Sequence, residues 1–310
     1  MKIYSFLPSA TEIVYGLGLE DQLCGVTHEC DYPPQATRKP IVIKSRISSQ
    51  LMSQREIEDS VVSSMSHGHG LYTIDKDLLE RQKPDVVITQ ELCDVCSVSL
   101  RDVLSTIHEL SGKCNVVSLK PRGLEGVMED ILTVGEACHA RARAEVLVDS
   151  LRLRIDSIKT SAQGLPRRRV FCAEWYDPVF ASGHWIPEMV EIAGGHDRLG
   201  RAGEDSRRIS WTDVVSYDPE TVILMPCGFD TSRAMDDLPL LATKPGWSGL
   251  DAVRGGRVYA TNGSAYYSRP GPRLVDGLEM MAKMIHPEAF GDDLPPEAAR
   301  RLSPHILRPA

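Results

Sequence analysis

Two stretches far apart in the chain are written in the same order. "DKDLLERQKPDVVI" (75–88) and "WTDVVSYDPETVIL" (211–224) each run from an acidic amphipathic segment, through a break containing proline, into an uninterrupted apolar run. Proline denies the residue before it the helical conformation, so each break ends a helix. An apolar run without alternation reads as a strand buried on both faces, which is the habit of parallel sheets. A chain that carries this unit twice is expected to fold as two similar α/β lobes.

Other segments extend the pattern on both sides. "KIYSF" (2–6) is strand-like and leads through "LPSATEI" (7–13) into a helix, where Ser9 or Thr11 can cap and Glu12 can complement the positive helix end. "QLCGVT" (22–27) and "CNVVSL" (114–119) add strands to the first lobe; "VFCAEW" (170–175) and "RVYATN" (257–262) add strands to the second. Strands alternating with helices imply parallel sheets covered on both faces. Between the lobes, apolar residues at Val127, Ile131, Val134 and Cys138, then at Leu147, Leu151, Ile155 and Ile158, keep to one helical face. The expected organisation is a first lobe over 1–123, one long connecting helix over 124–162 acting as a rigid spacer, a second lobe over 163–287, and a Pro-rich, polar appendage over 288–310.

A formal net charge of -8 argues against a broad nucleic-acid interface, which needs a basic surface. The one basic run, Arg167 to Arg169, reads as a solvated linker ahead of a strand. The N-terminal apolar stretch is too short for a signal peptide, and no segment reaches the ~18 apolar residues a membrane span requires. These features together lead to the expectation of a cytoplasmic, reducing setting, in which the 8 cysteines point to thiol or metal chemistry or simple burial rather than to disulfides.

The segments "LPSATEIVYGLGL" (7–19), "GVTHECDYPP" (25–34), "LLERQKPDVVIT" (78–89), "FASGHWIPEMVEIAGG" (180–195) and "SRPGPRL" (268–274) resemble the solute-binding proteins of ABC importers whose two lobes are joined by one rigid helix. Within that group the chain is most similar to the vitamin B12 (cobalamin) binding proteins, and the likeness runs from about Lys2 to Ile285. The resemblance implies an α/β fold of two Rossmann-like lobes on parallel sheets, a cobalamin or related corrinoid held in an inter-lobe cleft by loops at the strand ends, an ABC permease as partner, and no catalytic turnover. Ser9, Ala10 and Arg269 match positions where the family touches the corrinoid, with Thr11 beside them. Glu29, Gln90 and Ser206 stand where the family carries aromatics that grip the ring. Trp175, Tyr176, Phe180 and Trp185, with Tyr266 and Tyr267, could supply a different aromatic wall, and His184 faces the same loops. The family docks to its permease through one exposed glutamate per lobe; Glu80 fits the first place, and Thr212 with Asp213 occupies the second.

A polar constellation supports an alternative. His28, Glu29 and Cys30 follow the second strand, Cys93 and Cys96 of "LCDVCSVS" follow the third, and His184, Glu188 and Cys227 lie on second-lobe loops. Thiolate, imidazole and carboxylate together suit zinc or iron. On this reading Cys30, Cys93, Cys96, His28 and Cys227 would serve a cytoplasmic metal-binding protein or a thiol-dependent enzyme on the same fold. Cys24, Cys114, Cys138 and Cys172 sit in strands or on the helical stripe and read as core.

Overall fold

A computed structural model of the chain describes residues 1–47, 49–67, 70–91, 98–109, 114–303 and 305–307. It falls into two compact units, Met1–Pro121 with Glu125–Ser150, and Arg122–Leu124 with Leu151–Ala310.

The first unit is built on strands β1 (Ile3–Ser5), β2 (Leu23–Thr27), β3 (Ile41–Ser45), β4 (Tyr72–Ile74), β5 (Val86–Gln90) and β6 (Asn115–Leu119), in the order β4-β3-β2-β1-β5-β6. All neighbours are parallel except β3 and β4. Every residue of β5 is buried, as its unbroken apolar run requires. Tyr4, Phe6, Val42, Leu79, Val87 and Val103 pack into one core cluster. Gly25 of β2 is where the sheet needs a missing side chain, since a Cβ there would come within 2.5 Å of the Tyr4 ring. Helix α1 (Pro8–Gly16) follows β1, α2 spans Gln54–Ser66, α3 spans Lys76–Gln82 and α4 spans Leu100–Glu109.

The second unit contains β7 (Arg168–Tyr176), β8 (Val179–Ala181), β9 (Gly195–His196), β10 (Arg207–Arg208), β11 (Thr221–Leu224), β12 (Val258–Thr261) and β13 (Ala299–Arg301). Its order is β10-β8-β7-β11-β12-β13, with β9 pairing β7. The β7, β11 and β12 core is parallel, while β8, β10 and β13 are antiparallel additions. Both sheets are therefore mixed, with parallel centres and antiparallel edges, rather than parallel throughout.

The repeated sequence unit reappears as a repeated structure. Helix α3 is capped by Asp75, whose side chain accepts from the Leu78 N–H at 2.9 Å, and ends on Lys83 at φ 53°, immediately before Pro84 and β5. Helix α8 (Trp211–Tyr217) is capped by Ser210 in a capping box with Asp213, and ends on Asp218 at φ 47°, immediately before Pro219 and β11. Each unit delivers a buried parallel strand beside the strand that opens its lobe, β5 against β1 and β11 against β7.

Two expectations need correction. The segment 124–162 is two helices, α5 (Leu124–Ala137) and α6 (Arg141–Ser161), not one. The apolar stripe runs through both, so periodicity alone conceals the break. His139 takes φ 56°, and Gly135 lets α6 pass so closely that a Cβ on it would lie 2.4 Å from that of Ala144. The connection does not stand apart as a domain: all of α5 after its first residue belongs to the first unit, and α6 divides at Ser150. The tail, expected as an appendage, is part of the second lobe. Its β13 pairs with β12, Leu302 and Leu307 enter the core, and the buried Trp247 indole donates to the Leu307 carbonyl at 2.9 Å.

An acidic pair fastens the loop between β9 and β10. Asp197 accepts from the backbone N–H groups of Leu199 and Gly200, both at 2.9 Å, and from the Ser182 hydroxyl at 2.9 Å. The Glu174 carboxyl of β7 takes a very short bond from Ser206 and a longer one of 3.4 Å from the Gly183 N–H. Gly183 is needed because a Cβ would lie 2.5 Å from the Glu204 carbonyl and the Ser206 nitrogen. Helix α7 (Ile186–Ile192) starts three residues on.

A chain ending at residue 287, the boundary read from sequence, should lose its folded second lobe or melt far below the full chain. It gives up two buried leucines worth about 1.5–3 kcal/mol each, as well as an edge strand. A melting midpoint within a degree or two of the full chain would refute the structural role of the tail. The second expectation concerns pH. Burial pushes the Glu174 carboxyl from 4.5 up to about 7, against the opposing bonds from Ser206 and Gly183, with Asp197 adding to the rise. Between these values the folded chain keeps a proton that the unfolded chain releases, so this group's contribution to stability falls as pH rises and levels off above about 7. Glu174→Gln should be more stable than the parent at pH 8 by about 1–3 kcal/mol and similar at pH 4 in urea melts. An unchanged difference across that range would remove Glu174 from the account.

Candidate functional site

In each lobe the carboxyl ends of three adjacent parallel strands deliver side chains to one edge of the sheet. In open α/β sheets this is where ligands are held, because successive loops converge there. In the first lobe, β1 leads into α1, β2 ends beside His28, Glu29 and Cys30, and β5 ends at Gln90.

Helix α1 opens with Pro8 in its first turn, preceded by Leu7 in extended conformation, and no side chain caps it. The expected capping by Ser9 or Thr11 is therefore not made. The Thr11 hydroxyl instead donates to Ser5 Oγ at 2.8 Å, and Ser5 donates to the Leu7 carbonyl at 2.8 Å. With its single proton spent, Thr11 Oγ1 receives the Cys30 thiol at 3.0 Å, and Thr27 Oγ1 lies 3.3 Å from the same sulfur. Thr11 and Cys30 thus stitch the β2 loop to α1. Ser9 differs: it is 1% exposed, and among the described residues its hydroxyl has no hydrogen-bond partner. It sits in the first turn, whose backbone N–H groups also lack intrahelical acceptors. His28 and Glu29 are exposed; the His28 ring contacts the Ile43 carbonyl at 3.3 Å and Glu29 Oε1 at 3.8 Å. Gln90 is buried.

In the second lobe, β7 presents Trp175, whose indole N–H is buried without a partner among the described residues and whose ring packs against Phe229 at 5.3 Å. Beyond β11, Cys227 is exposed. Beyond β12, Arg269 is 9% exposed and donates to the Ser264 hydroxyl at 3.3 Å. Phe180 and Tyr266 are half-buried. The rest of the expected aromatic wall belongs to the core: Trp185 donates to the Tyr267 carbonyl at 2.8 Å, Tyr267 to the Gly277 carbonyl at 3.0 Å, and Tyr176 to the Ala234 carbonyl at 3.3 Å. His184 is half-buried at φ 52°, stacks on Trp185 at 5.4 Å, and is held below the usual imidazole range by burial. Glu188 is occupied by the Leu124 N–H at 2.8 Å.

The metal reading is not carried by this geometry. Among the described residues no three His, Cys, Asp or Glu side chains gather as a metal-binding group. Cys30 is committed to two threonines; Cys93 and Cys96 lie outside the described residues. Of the docking candidates, Glu80 is exposed on α3 and makes no ion pair among the described residues, whereas Asp213 is engaged in the α8 capping box. The Glu174–Ser206 bond has no signal in the sequence: Ser206 reads there as the loss of an aromatic, and folding brings its hydroxyl to a buried acid.

The curated relatives include an ABC transporter substrate-binding lipoprotein of Bacillus subtilis, 25% identical over 297 residues, covering 93% of this chain and 81% of the relative. A vitamin B12-binding protein of Vibrio cholerae is 24% identical, covering 92% and 88%. Solved structures share the fold. A possible iron-binding periplasmic solute-binding protein from Staphylococcus epidermidis aligns with TM-score 0.69 at 21% identity, over 92% of this chain and 98% of that one. A periplasmic heme binding protein from Pseudomonas aeruginosa aligns with TM-score 0.68 at 21% identity, over 93% of each. These lipoprotein and periplasmic relatives overturn the expected cytoplasmic setting and point outside the cytoplasm. Among the described residues no helix is long and apolar enough to cross a membrane. A family model described as periplasmic binding protein matches residues 5–265, and the chain belongs to that family.

Proposed function

We propose that the chain is the solute-binding component of an ABC importer and that its ligand is cobalamin or a related corrinoid. The observation that carries this reading is made in each lobe by itself: among the described residues the Ser9 hydroxyl at the start of α1 and the Trp175 indole N–H near the end of β7 are buried donors without a partner. A buried donor without an acceptor costs about 1–3 kcal/mol, so a site retains one when a ligand supplies the acceptor. A corrin rim bears amide carbonyls that accept such bonds, and Arg269 adds a cationic donor. The vitamin B12-binding relative supports the ligand class. The reduced aromatic surface, Trp175 with Phe180 and Tyr266, favours a ligand held by its polar edge as much as by stacking. Glu80 is the proposed contact to the permease.

Titration with cyanocobalamin and hydroxocobalamin, followed by visible absorption, should show saturable binding near one equivalent. Ser9→Ala should weaken it about 2- to 10-fold, the range of a single hydrogen bond, and Arg269→Ala by more. Cys93→Ser with Cys96→Ser should leave affinity within a few-fold. Saturable binding of hemin with none of either cobalamin would replace the corrinoid by a porphyrin; a large loss in the double cysteine variant would move the site to the thiols. In cells limited for cobalamin, Glu80→Lys should impair uptake while leaving binding unchanged. Normal uptake by that variant would remove Glu80 from the docking surface.

A further inference from the structure

Trp175 belongs to a stack of three side chains in the second lobe. The indole is 9% exposed, and its ring packs on that of Phe229 at 5.3 Å between centroids, tilted by 60°. Phe229 is buried, and the guanidinium of Arg233 lies over its ring, 3.8 Å from the centroid. Both contacts are attractive, because the electron-rich face of an aromatic ring draws the positive edge of a tilted neighbour or a cation. Among the described residues no hydrogen bond reaches the Trp175 N–H. Packing, rather than a hydrogen bond, holds the indole.

The backbone that carries the stack is itself fastened. The Cys227 N–H donates to the Glu174 carbonyl at 3.2 Å, the Phe229 N–H to the Pro226 carbonyl at 3.1 Å, and the Ser264 N–H to the Phe229 carbonyl at 3.1 Å. Helix α9 (Thr231–Asp236) begins two residues after Phe229. Its cap, Asp230, accepts from the Arg233 N–H at 2.8 Å, and the Tyr176 hydroxyl of β7 donates to the Ala234 carbonyl at 3.3 Å. Trp175 on β7, Phe229 on the loop after β11 and Arg233 at the start of α9 therefore stand on three pieces of backbone that are tied to one another.

We propose that Phe229, with Arg233 stacked on it, is a positioning residue that holds the Trp175 ring in the orientation in which the indole N–H meets an acceptor on the bound ligand. This role rests on Trp175 being a ligand donor, as proposed above for a corrinoid. A donor fixed in advance by its neighbours binds without the cost of ordering it. Phe229 and Arg233 act through Trp175 and need no contact with the ligand.

A double-mutant cycle on the full chain, read by cyanocobalamin titration followed by visible absorption, tests this role. Phe229→Leu in the parent should weaken binding about 2- to 12-fold, the range of one aromatic pair. In the background of Trp175→Phe, which keeps a ring and removes the N–H, the same change should cost less than about twofold. Arg233→Gln should cost about 2- to 5-fold in the parent, and Arg233→Lys, which keeps a cation over the ring, should cost less. Equal losses from Phe229→Leu in both backgrounds would make Phe229 purely structural and overturn the proposal, as would unchanged affinity in Phe229→Leu and Arg233→Gln alike. Circular dichroism melts establish that each variant folds; Arg233→Gln leaves both rings in place and completes the cycle alone where Phe229→Leu does not fold. Equal affinity in the parent and in Trp175→Phe would remove Trp175 from the site and the positioning role with it, while leaving corrinoid binding intact. If hemin alone binds, the same cycle read with hemin decides in the same way; binding of neither would overturn the ligand reading of the site together with the role built on it.

Discussion

The parallel pairing of fully buried strands, β5 against β1 and β11 against β7, is the constraint on which the rest of the molecule depends. Every residue of β5 and of β11 is inside, so neither strand has a wet face on which to place chemistry. Polar function is displaced to the loops where the strands stop, and because the neighbours are parallel those loops emerge at the same edge. Helices then begin there too, as α1 does immediately after β1, which puts unpaired N–H groups beside the loop side chains.

This constraint explains what could be read in the sequence. β5 and β11 announced themselves because burial on both faces requires an unbroken apolar run, and the Pro84 and Pro219 breaks marked the helix ends ahead of them. The edge elements did not. β9 and β10 are two residues each, and β13 is "ARR", whose side chains include two arginines directed away from the hydrophobic core. An edge strand is held by backbone bonds to one neighbour, so its composition need not be apolar. The tail was obscured in the same way: its leucines are separated by prolines and charges, and their burial depends on Trp247, a residue far away in sequence. The break at His139 was hidden because two helices packed closely through Gly135 and Ala144 can keep a continuous apolar stripe.

The expected site residues are spread over strand ends, a helix start and a later loop, and their partners differ from the expected roles. Gln90 and Trp175 lie at the ends of β5 and β7, Ser9 and Ala10 in the first turn of α1, and Arg269 eight residues beyond β12. Roles shifted wherever a side chain had a closer partner than a ligand. Thr11 and Cys30 bond each other, Trp185 and Tyr267 bond in the core, and Ser206 bonds Glu174. Sequence spacing indicates which loop a residue belongs to, whereas hydrogen-bond competition within the fold decides whether that residue remains available. Among the described residues that competition leaves the Ser9 hydroxyl and the Trp175 indole without partners.

The same sheet polarity accounts for the arginines at the far end. Where parallel strands begin, the preceding helices and turns end, leaving carbonyl groups without backbone donors. Arginine satisfies them: Arg168 reaches the Ile285 carbonyl, Arg169 that of Asp218, Arg257 that of Glu220, and Arg301 those of Gly255 and Gly256. A guanidinium has more donors than one or two carbonyls consume. Where a carboxylate is also present, as for Arg168 and Arg169, the remaining donors and the charge are matched internally. Among the described residues Arg257 and Arg301 cap carbonyls without a carboxylate partner. The arginines at this end therefore follow from how an α/β lobe completes its chain reversals, and they are independent of what the opposite edge of the sheet binds.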